Sequence, residues 1–394
     1  MTTTPDQPMV FDHTDAEFSA DAYTNVAELR AVCPVIHSPR HGGFFAVTSH
    51  ADVADAANDY QRFTPTGGIT LPKVQLPVRS LPLEADPPEH GIYRRILQPF
   101  FTLRRVGDME DRVRPVVVDH IESFREAGHA ELVQQLANPV PAIVIAMLLG
   151  LPPANWAELK DVTTRTQLAA VAGDRAMARQ AATELGTILR RECDDRRRAP
   201  KDDIISAVVH AQIDGMPIDP DIAFAIVQIV VVAGFDTTVY GIGTLLRLMA
   251  ADAELQALVR AGDSKLRSRV IEESLRIDSP VFGLARSAVI DTELSGCPIP
   301  EGARLLLCYG AANHDSDVFE SPEDFNPERE NVGKHLAFGF GRHRCIGEHL
   351  AKMEIRIVLD ELLDRIPPFT LEQSGEILMR YSMTRGPVRL PVVW

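Results

Sequence analysis

The chain has 394 residues, 45% hydrophobic and 24% charged, with a formal net charge of -15 at pH 7. That length supports a sizeable core, and the acidic balance argues against a nucleic-acid-binding footprint. Cys33, Cys193, Cys297, Cys308 and Cys345 lie far apart, with no CxxC pair and no CxxCH, which excludes covalent c-type haem, argues against a disulfide framework or zinc cluster, and fits a reducing cytosol.

The opening "MTTTPDQPMVFDHTDAEF" has no basic n-region and no apolar h-region, so no signal peptide is expected. "FFAVTSHADVADAAND" predicts a short strand, Phe44–Val47, running into a helix. Residues 64–88 are rich in Pro, Gly and Thr and read as a long loop. Helices are expected from Glu89 to about Leu275, among them 153–170, 173–193 and a capped helix after "RRRAPKDD". Asp219 as N-cap and Pro220 at the first helical position open a long apolar helix. Gln228, Asp236, Thr237, Thr238 and Arg247 interrupt that helix, and its purely apolar part is too short to span a bilayer, so it reads as a buried core helix rather than a membrane span. After Arg276, "RSAVIDTELSGCPIPEGARLLLCY" alternates with turn signals, and the C-terminal "ILMRYSMTRGPVRLPVVW" is also extended. The expected class is mainly α (α+β), with small sheets, no βαβ repeat and no linker, hence one domain over 1–394.

"AFGFGRHRCIGEHLAKMEIRIVL" delivers Cys345 through a glycine-rich run to the start of a helix. Gly339, Gly341 and Gly347 permit close backbone approaches. N–H groups at a helix start and the basic Arg342, His343 and Arg344 favour a thiolate. Such a thiolate suits either a soft metal centre or a nucleophile's task. The run F-x-x-G-x-x-x-C-x-G, met by Phe338, Gly341, Cys345 and Gly347, resembles the haem-binding loop of the cytochrome P-450 family. There the cysteine is the axial ligand of the haem iron and the aromatic residue packs beside it.

Further stretches match that family in order. "VVVAGFDTTVYG" resembles its A-G-x-D/E-T segment, where the helix opens beside the oxygen site. The resemblance gives Ala233 and Gly234 a place against haem and oxygen, with Thr237 hydrogen-bonding the oxygen species and Asp236 feeding protons through water. Without it, hydroxyls bonded back to the backbone would explain the threonines. "VIEESLRI" supplies Glu273 and Arg276 at i,i+3; it reads either as a surface ion pair of small worth or as the family's E-x-x-R anchor, with "FNPER" as its partner segment. In "DPPEHGIYRRIL", His90 and Arg94 at i,i+4 put two cations on one face, which suits an anion between them. The resemblance assigns them, with Arg286 and His343, to the haem propionates.

These features identify the chain as similar to soluble bacterial-type haem–thiolate monooxygenases over most of its length, from about Asp86 onward. The resemblance implies non-covalent haem b, O2 as co-substrate and insertion of one oxygen atom into a hydrophobic substrate. Electrons would come from NAD(P)H through a ferredoxin reductase and a ferredoxin, since no flavin or iron–sulfur motif is present. Arg104, Arg105, Arg112, Arg342 and Arg344 are candidates for docking that acidic partner. Phe63, Ile69, Leu71, Val231, Val281, Phe282, Leu284 and Met383 are candidates for a substrate pocket suited to a terpenoid or aromatic compound, with 153–170 and 173–193 as a lid. A cytoplasmic monomer is expected. The rival readings are a peroxide-driven enzyme of the same fold, a haem-thiolate ligand sensor without turnover, and an enzyme using Cys345 as nucleophile with His343 as base.

Overall fold

The structure is a computed structural model and describes residues 9–394 apart from 74–77, 153–154, 172–173 and 374. Residues 1–8 of the opening stretch, 74–77 of the expected long loop, and 153, 154 and 173 of the expected lid helices therefore lie outside the described residues. The chain forms two compact units, each assembled from separate stretches: 1–75, 268–345 and 379–386 in the first, 76–267, 346–378 and 387–394 in the second.

The first unit is organised by a five-stranded sheet. Val35–Ser38 runs antiparallel to Phe44–Val47, which pairs parallel with Arg304–Leu307; that strand is antiparallel to Leu284–Ala288, and Phe63–Thr64 forms the edge. Successive side chains alternate between faces. Phe44, Ala46 and Leu306 pack in one cluster with Phe11 and Phe282, while Val47, Leu305 and Leu307 pack in another with Phe63 and Ile299. Ser49 caps the helix His50–Asn58 by accepting from the Asp52 N–H, so the strand-to-helix reading of this segment holds.

A buried ion cluster ties the later stretches of this unit together. Glu273 and Arg276 are both 0% exposed. Arg276 donates to both Glu273 carboxylate oxygens at 2.8 and 2.9 Å, and also to the carbonyls of Asn313, Pro322 and Asp324. Arg329, from the "FNPER" segment, donates to Glu273 at 3.2 Å, and the Asn326 N–H does so at 3.0 Å. The surface-pair reading of Glu273 and Arg276 is thereby ruled out: every charge is paired and every donor directed, as burial of ions demands. Asn313, also 0% exposed, extends the cluster. Its Oδ1 accepts from the Leu336 N–H at 2.6 Å and its Nδ2 donates to Ser279 Oγ at 2.8 Å. Leu336 opens the loop that carries Cys345.

The second unit is helical, centred on Pro220–Ala251. Asp219 caps it by accepting from the N–H groups of Asp221 and Ile222, as the Asp-Pro start predicts. The helices Pro139–Leu148, Arg175–Arg198, Ile204–Val209 and Glu348–Arg365 pack around it. Its length and composition would suffice to cross a membrane, but 61% of its apolar window is buried within the protein. Trp156–Val171 and Arg175–Arg198 correspond to the two expected lid helices, the second continuing to Arg198; Arg165, held along its own helix by Asp161, links the two by donating to Glu184. The helix Glu348–Arg365 is fastened to Glu110–Glu122 through Arg356–Glu110 and Arg114–Glu361. It also buries Glu354, 1% exposed, whose Oε2 makes no hydrogen bond among the described residues.

Two predictions follow from these burials. Asn313→Ala strands the Leu336 N–H and should lower unfolding free energy by about 1–3 kcal/mol, measured by denaturant titration; a loss within experimental error would remove Asn313 from the loop's support. Burial alone pushes the Glu354 carboxyl well above its usual range. A raised carboxyl pKa in the folded state means stability fully present below the unfolded pKa and lost as pH rises towards the folded one. Glu354→Gln should therefore gain thermal stability over the parent as pH increases from 4.5 to 8, whereas parallel profiles would show that Glu354 is not desolvated.

Candidate active site

The cysteine loop is built by short-range hydrogen bonds in the first unit. The Gly339 N–H donates to Leu336 O at 2.8 Å, Arg344 N–H to Gly341 O at 3.1 Å, and Cys345 N–H back to Phe338 O at 2.8 Å. Gly339 and Gly341 have φ of 70° and 67°. At Gly341 a Cβ would also stand 2.9 Å from Asn58 Oδ1 and 3.2 Å from Asn58 Cα, so the loop lies directly on the end of the helix His50–Asn58. This is the physical reason for the glycines. Cys345 is exposed, and Gly347 is the N-cap position of Glu348–Arg365, so the thiol precedes the first helical turn. The buried cysteines differ in kind: burial pushes the Cys193 thiol up to about 11 and the Cys308 thiol higher still. Phe338 and His343 are half-buried, Phe340 is 39% exposed, and Arg286, on the strand Leu284–Ala288, is buried and donates to Ala285 O.

In the second unit, His90 and Arg94 lie on the helix Glu89–Leu97, His90 buried and Arg94 partly so. Their i,i+4 spacing places them on one face. The central helix stays helical through 233–238 in place of the expected opening. Thr237 Oγ1 donates to Ala233 O at 2.8 Å and Thr238 Oγ1 to Gly234 O at 3.3 Å, so both hydroxyls take carbonyls of the preceding turn. Asp236 is buried, with Tyr240 Oη 3.5 Å from its Oδ2. Gly234 has a packing cause: a Cβ there would lie 2.4 Å from Ile145 Cδ1. Next to it, Val232 is 44% exposed and Ala233 is exposed, between the buried Val231 and Phe235. An otherwise buried helix thus presents an open apolar patch one turn from Thr237.

The pocket candidates of the first unit divide. The structure brings three of their segments together: Ala285 N–H donates to Ile69 O at 2.8 Å, Phe282 N–H to Met383 O at 2.7 Å, and Leu71 N–H to Met383 Sδ at 3.1 Å. Phe63, Leu71 and Phe282, however, are 1–3% exposed and sit in the unit's two hydrophobic clusters, Phe282 against Phe11 and Tyr23. These are core side chains, because the sheet faces they join are covered. Ile69, Val281, Leu284 and Met383 keep partial exposure, and Val231 is buried in the second unit. Among the docking candidates, Arg104, Arg112 and Arg344 are exposed, Arg105 pairs with Asp202 at 2.9 Å, and the Arg342 guanidinium lies 4.4 Å over the Tyr60 ring. Asn313 and Glu354 were missed from sequence; the one available signal was a polar residue ending or interrupting an apolar run, "LLLCYGAAN" and "KMEIRIVL".

The family model for cytochrome P450 matches residues 173–384. Over its full length the chain is 29% identical to the steroid C26-monooxygenase of Mycolicibacterium smegmatis, of which it covers 97%. It is 32% identical to the erythromycin C-12 hydroxylase of Saccharopolyspora erythraea, with 89% of each chain covered. The structure of cytochrome P450 CREJ in complex with (4-ethylphenyl) dihydrogen phosphate superposes with a TM-score of 0.88 at 28% identity, covering 98% of both chains. Together with a helix-rich fold bearing small sheets and the cysteine loop, these likenesses place the chain in the cytochrome P450 family of monooxygenases.

Proposed function

We propose that this monooxygenase inserts one oxygen atom of O2 into a small to medium hydrophobic substrate of terpenoid or aromatic type, with electrons passed from NAD(P)H by a ferredoxin reductase and a ferredoxin. The observation that carries the reading is the exposed Cys345, delivered by a loop hung from a buried ion cluster. Family membership implies a haem–thiolate cofactor, and the residues present fit one. In the first unit the thiol is exposed and the buried donor Arg286 suits a carboxylate; in the second, the apolar surface at Val232 and Ala233 suits the face of a macrocycle and the buried His90 suits a carboxylate. Cys345 would hold the haem iron, with Phe338 and the glycines 339, 341 and 347 beside it, and His90, Arg94, Arg286 and His343 would hold the propionates. Haem held by a cysteine thiolate would supply the chemistry of O–O cleavage.

The chain's own contribution is positioning and proton delivery. Ala233 and Gly234 line the reacting side. Thr237 hydrogen-bonds there by turning its hydroxyl from the Ala233 carbonyl, and Asp236 holds the proton that water relays. Ile69, Val281, Leu284 and Met383, all apolar and partly exposed, supply substrate contacts. The relatives named as a steroid C26-monooxygenase and an erythromycin C-12 hydroxylase act on larger molecules, and the panel of compounds below spans that range of size. Exposed Arg104, Arg112 and Arg344 offer positive charge to an acidic ferredoxin on a chain of net charge -15.

Purified holoprotein should show a saturable spin-state shift of the haem Soret band with one class among monoterpenoids, aromatic acids, fatty acids and macrolides, and should then consume O2 with ferredoxin, its reductase and NAD(P)H. Asp236→Asn should leave that spin shift intact while lowering kcat by roughly 10²-fold or more. Turnover supported by hydrogen peroxide alone, equal in parent and variant, would favour the peroxide-driven reading; a ligand-induced shift with no turnover under either condition would favour the sensor.

A further inference from the structure

A second cluster of ligand-type side chains lies in the first unit, on residues for which the monooxygenase reading has no use. Asp12, His13 and His41 each present a metal-ligating atom, and these atoms lie within 4.8 Å of one another. They come from two separate segments, the chain before the helix Ala16–Ala20 and the turn Arg40–Gly42 that joins the first two strands. His41 Nε2 is 3.1 Å from Asp12 Oδ1 and 3.2 Å from Thr14 Oγ1, and Thr14 Oγ1 donates to the same carboxylate at 2.7 Å. Arg40 Nε lies 3.8 Å from the other carboxylate oxygen on a side chain that is 62% exposed.

His13 separates this cluster from an ordinary surface ion pair. It is 2% exposed, and its Nε2 is 2.7 Å from Leu71 O. A carbonyl can only accept, so Nε2 carries the proton and donates. With the proton on Nε2, the neutral ring has its lone pair on Nδ1. That Nδ1 is buried and meets no hydrogen-bond partner among the described residues. A neutral imidazole with one nitrogen donating to a backbone carbonyl and the other bearing a buried lone pair is the state in which histidine binds metal, the carbonyl fixing tautomer and ring orientation. Asp12 Oδ1 already accepts from Thr14 Oγ1 and faces His41 Nε2, so the carboxylate is turned towards the same point.

We propose that Asp12, His13 and His41 bind a divalent transition-metal ion of the zinc class, with solvent completing the coordination. Two imidazoles and a carboxylate are zinc's preferred nitrogen and oxygen donors. Binding exchanges the His41–Asp12 hydrogen bond for two metal–ligand bonds and gives the His13 lone pair a partner. The ion clips the chain around Phe11 to the 40–43 turn. Through His13 and Leu71 it also fixes the segment whose Leu71 N–H meets Met383 Sδ. Its role is structural, and a ligand that binds only the folded state stabilises it.

The test is equilibrium dialysis of untagged, chelator-stripped full-length protein against zinc, with thermal unfolding followed in parallel. The parent should bind one zinc per chain at micromolar zinc and unfold at a higher temperature with zinc than without. His41→Ala and Asp12→Asn, both at positions that reach solvent, should fold, bind zinc at least tenfold more weakly and lose the thermal gain; His129→Ala, on an exposed histidine elsewhere, should behave as the parent. Absence of micromolar binding in the parent, or binding that survives both His41→Ala and Asp12→Asn, would overturn the proposal.

Discussion

Burial of Glu273 with Arg276 and Arg329 is the constraint on which the cysteine loop depends. Moving three ions out of water is costly, and the cost is offset only when every charge and donor is met. Here the carboxylate receives two guanidinium groups and a backbone N–H, and the guanidinium groups spread over the carbonyls of Asn313, Pro322, Asp324, Glu320 and Ser321. The cluster thereby fixes segments more than forty residues apart in sequence and, through Asn313 and Leu336, sets where the loop begins. Removing one partner would leave an uncompensated buried charge, a loss of about 3–5 kcal/mol. Rigidity at the loop's root lets Cys345 itself be exposed.

The central helix of the second unit solves a different problem. Most of it is buried and apolar, yet Asp236, Thr237 and Thr238 sit in its middle. The threonines are satisfied by the carbonyls one turn back, at Ala233 and Gly234, which makes these polar groups tolerable without breaking the helix. In the proposed reaction the Thr237 hydroxyl would exchange its carbonyl partner for a ligand without refolding of the helix. The exposed Val232 and Ala233 alongside give that hydroxyl an apolar approach.

Local chemistry made part of this legible in the sequence. The Asp219–Pro220 helix start, the Phe44–Val47 strand and the glycines before Cys345 are all written in residues whose backbone preferences are strong. Glu273 and Arg276 were visible as a pair, but their burial was not, because i,i+3 spacing looks the same on a surface. Asn313 was invisible for a similar reason: its task is set by Leu336 and Ser279, distant in sequence. Phe63, Leu71 and Phe282 show the opposite failure. Their position in a family pattern suggested a pocket wall, while the two covered faces of the sheet draw them into the core. Pocket and core use the same side chains, and only packing separates them.

The account stands or falls on Cys345 as a thiolate ligand, and the direct measurement is the absorption of the carbon monoxide complex of the ferrous holoprotein. A thiolate opposite carbon monoxide moves the Soret band far to the red of its position under a nitrogen ligand. The parent should show the red-shifted band, and Cys345→His should retain haem but lose the shift. A parent protein whose complex absorbs at the position typical of histidine ligation, or a Cys345→His variant that keeps the red-shifted band, would contradict the assignment.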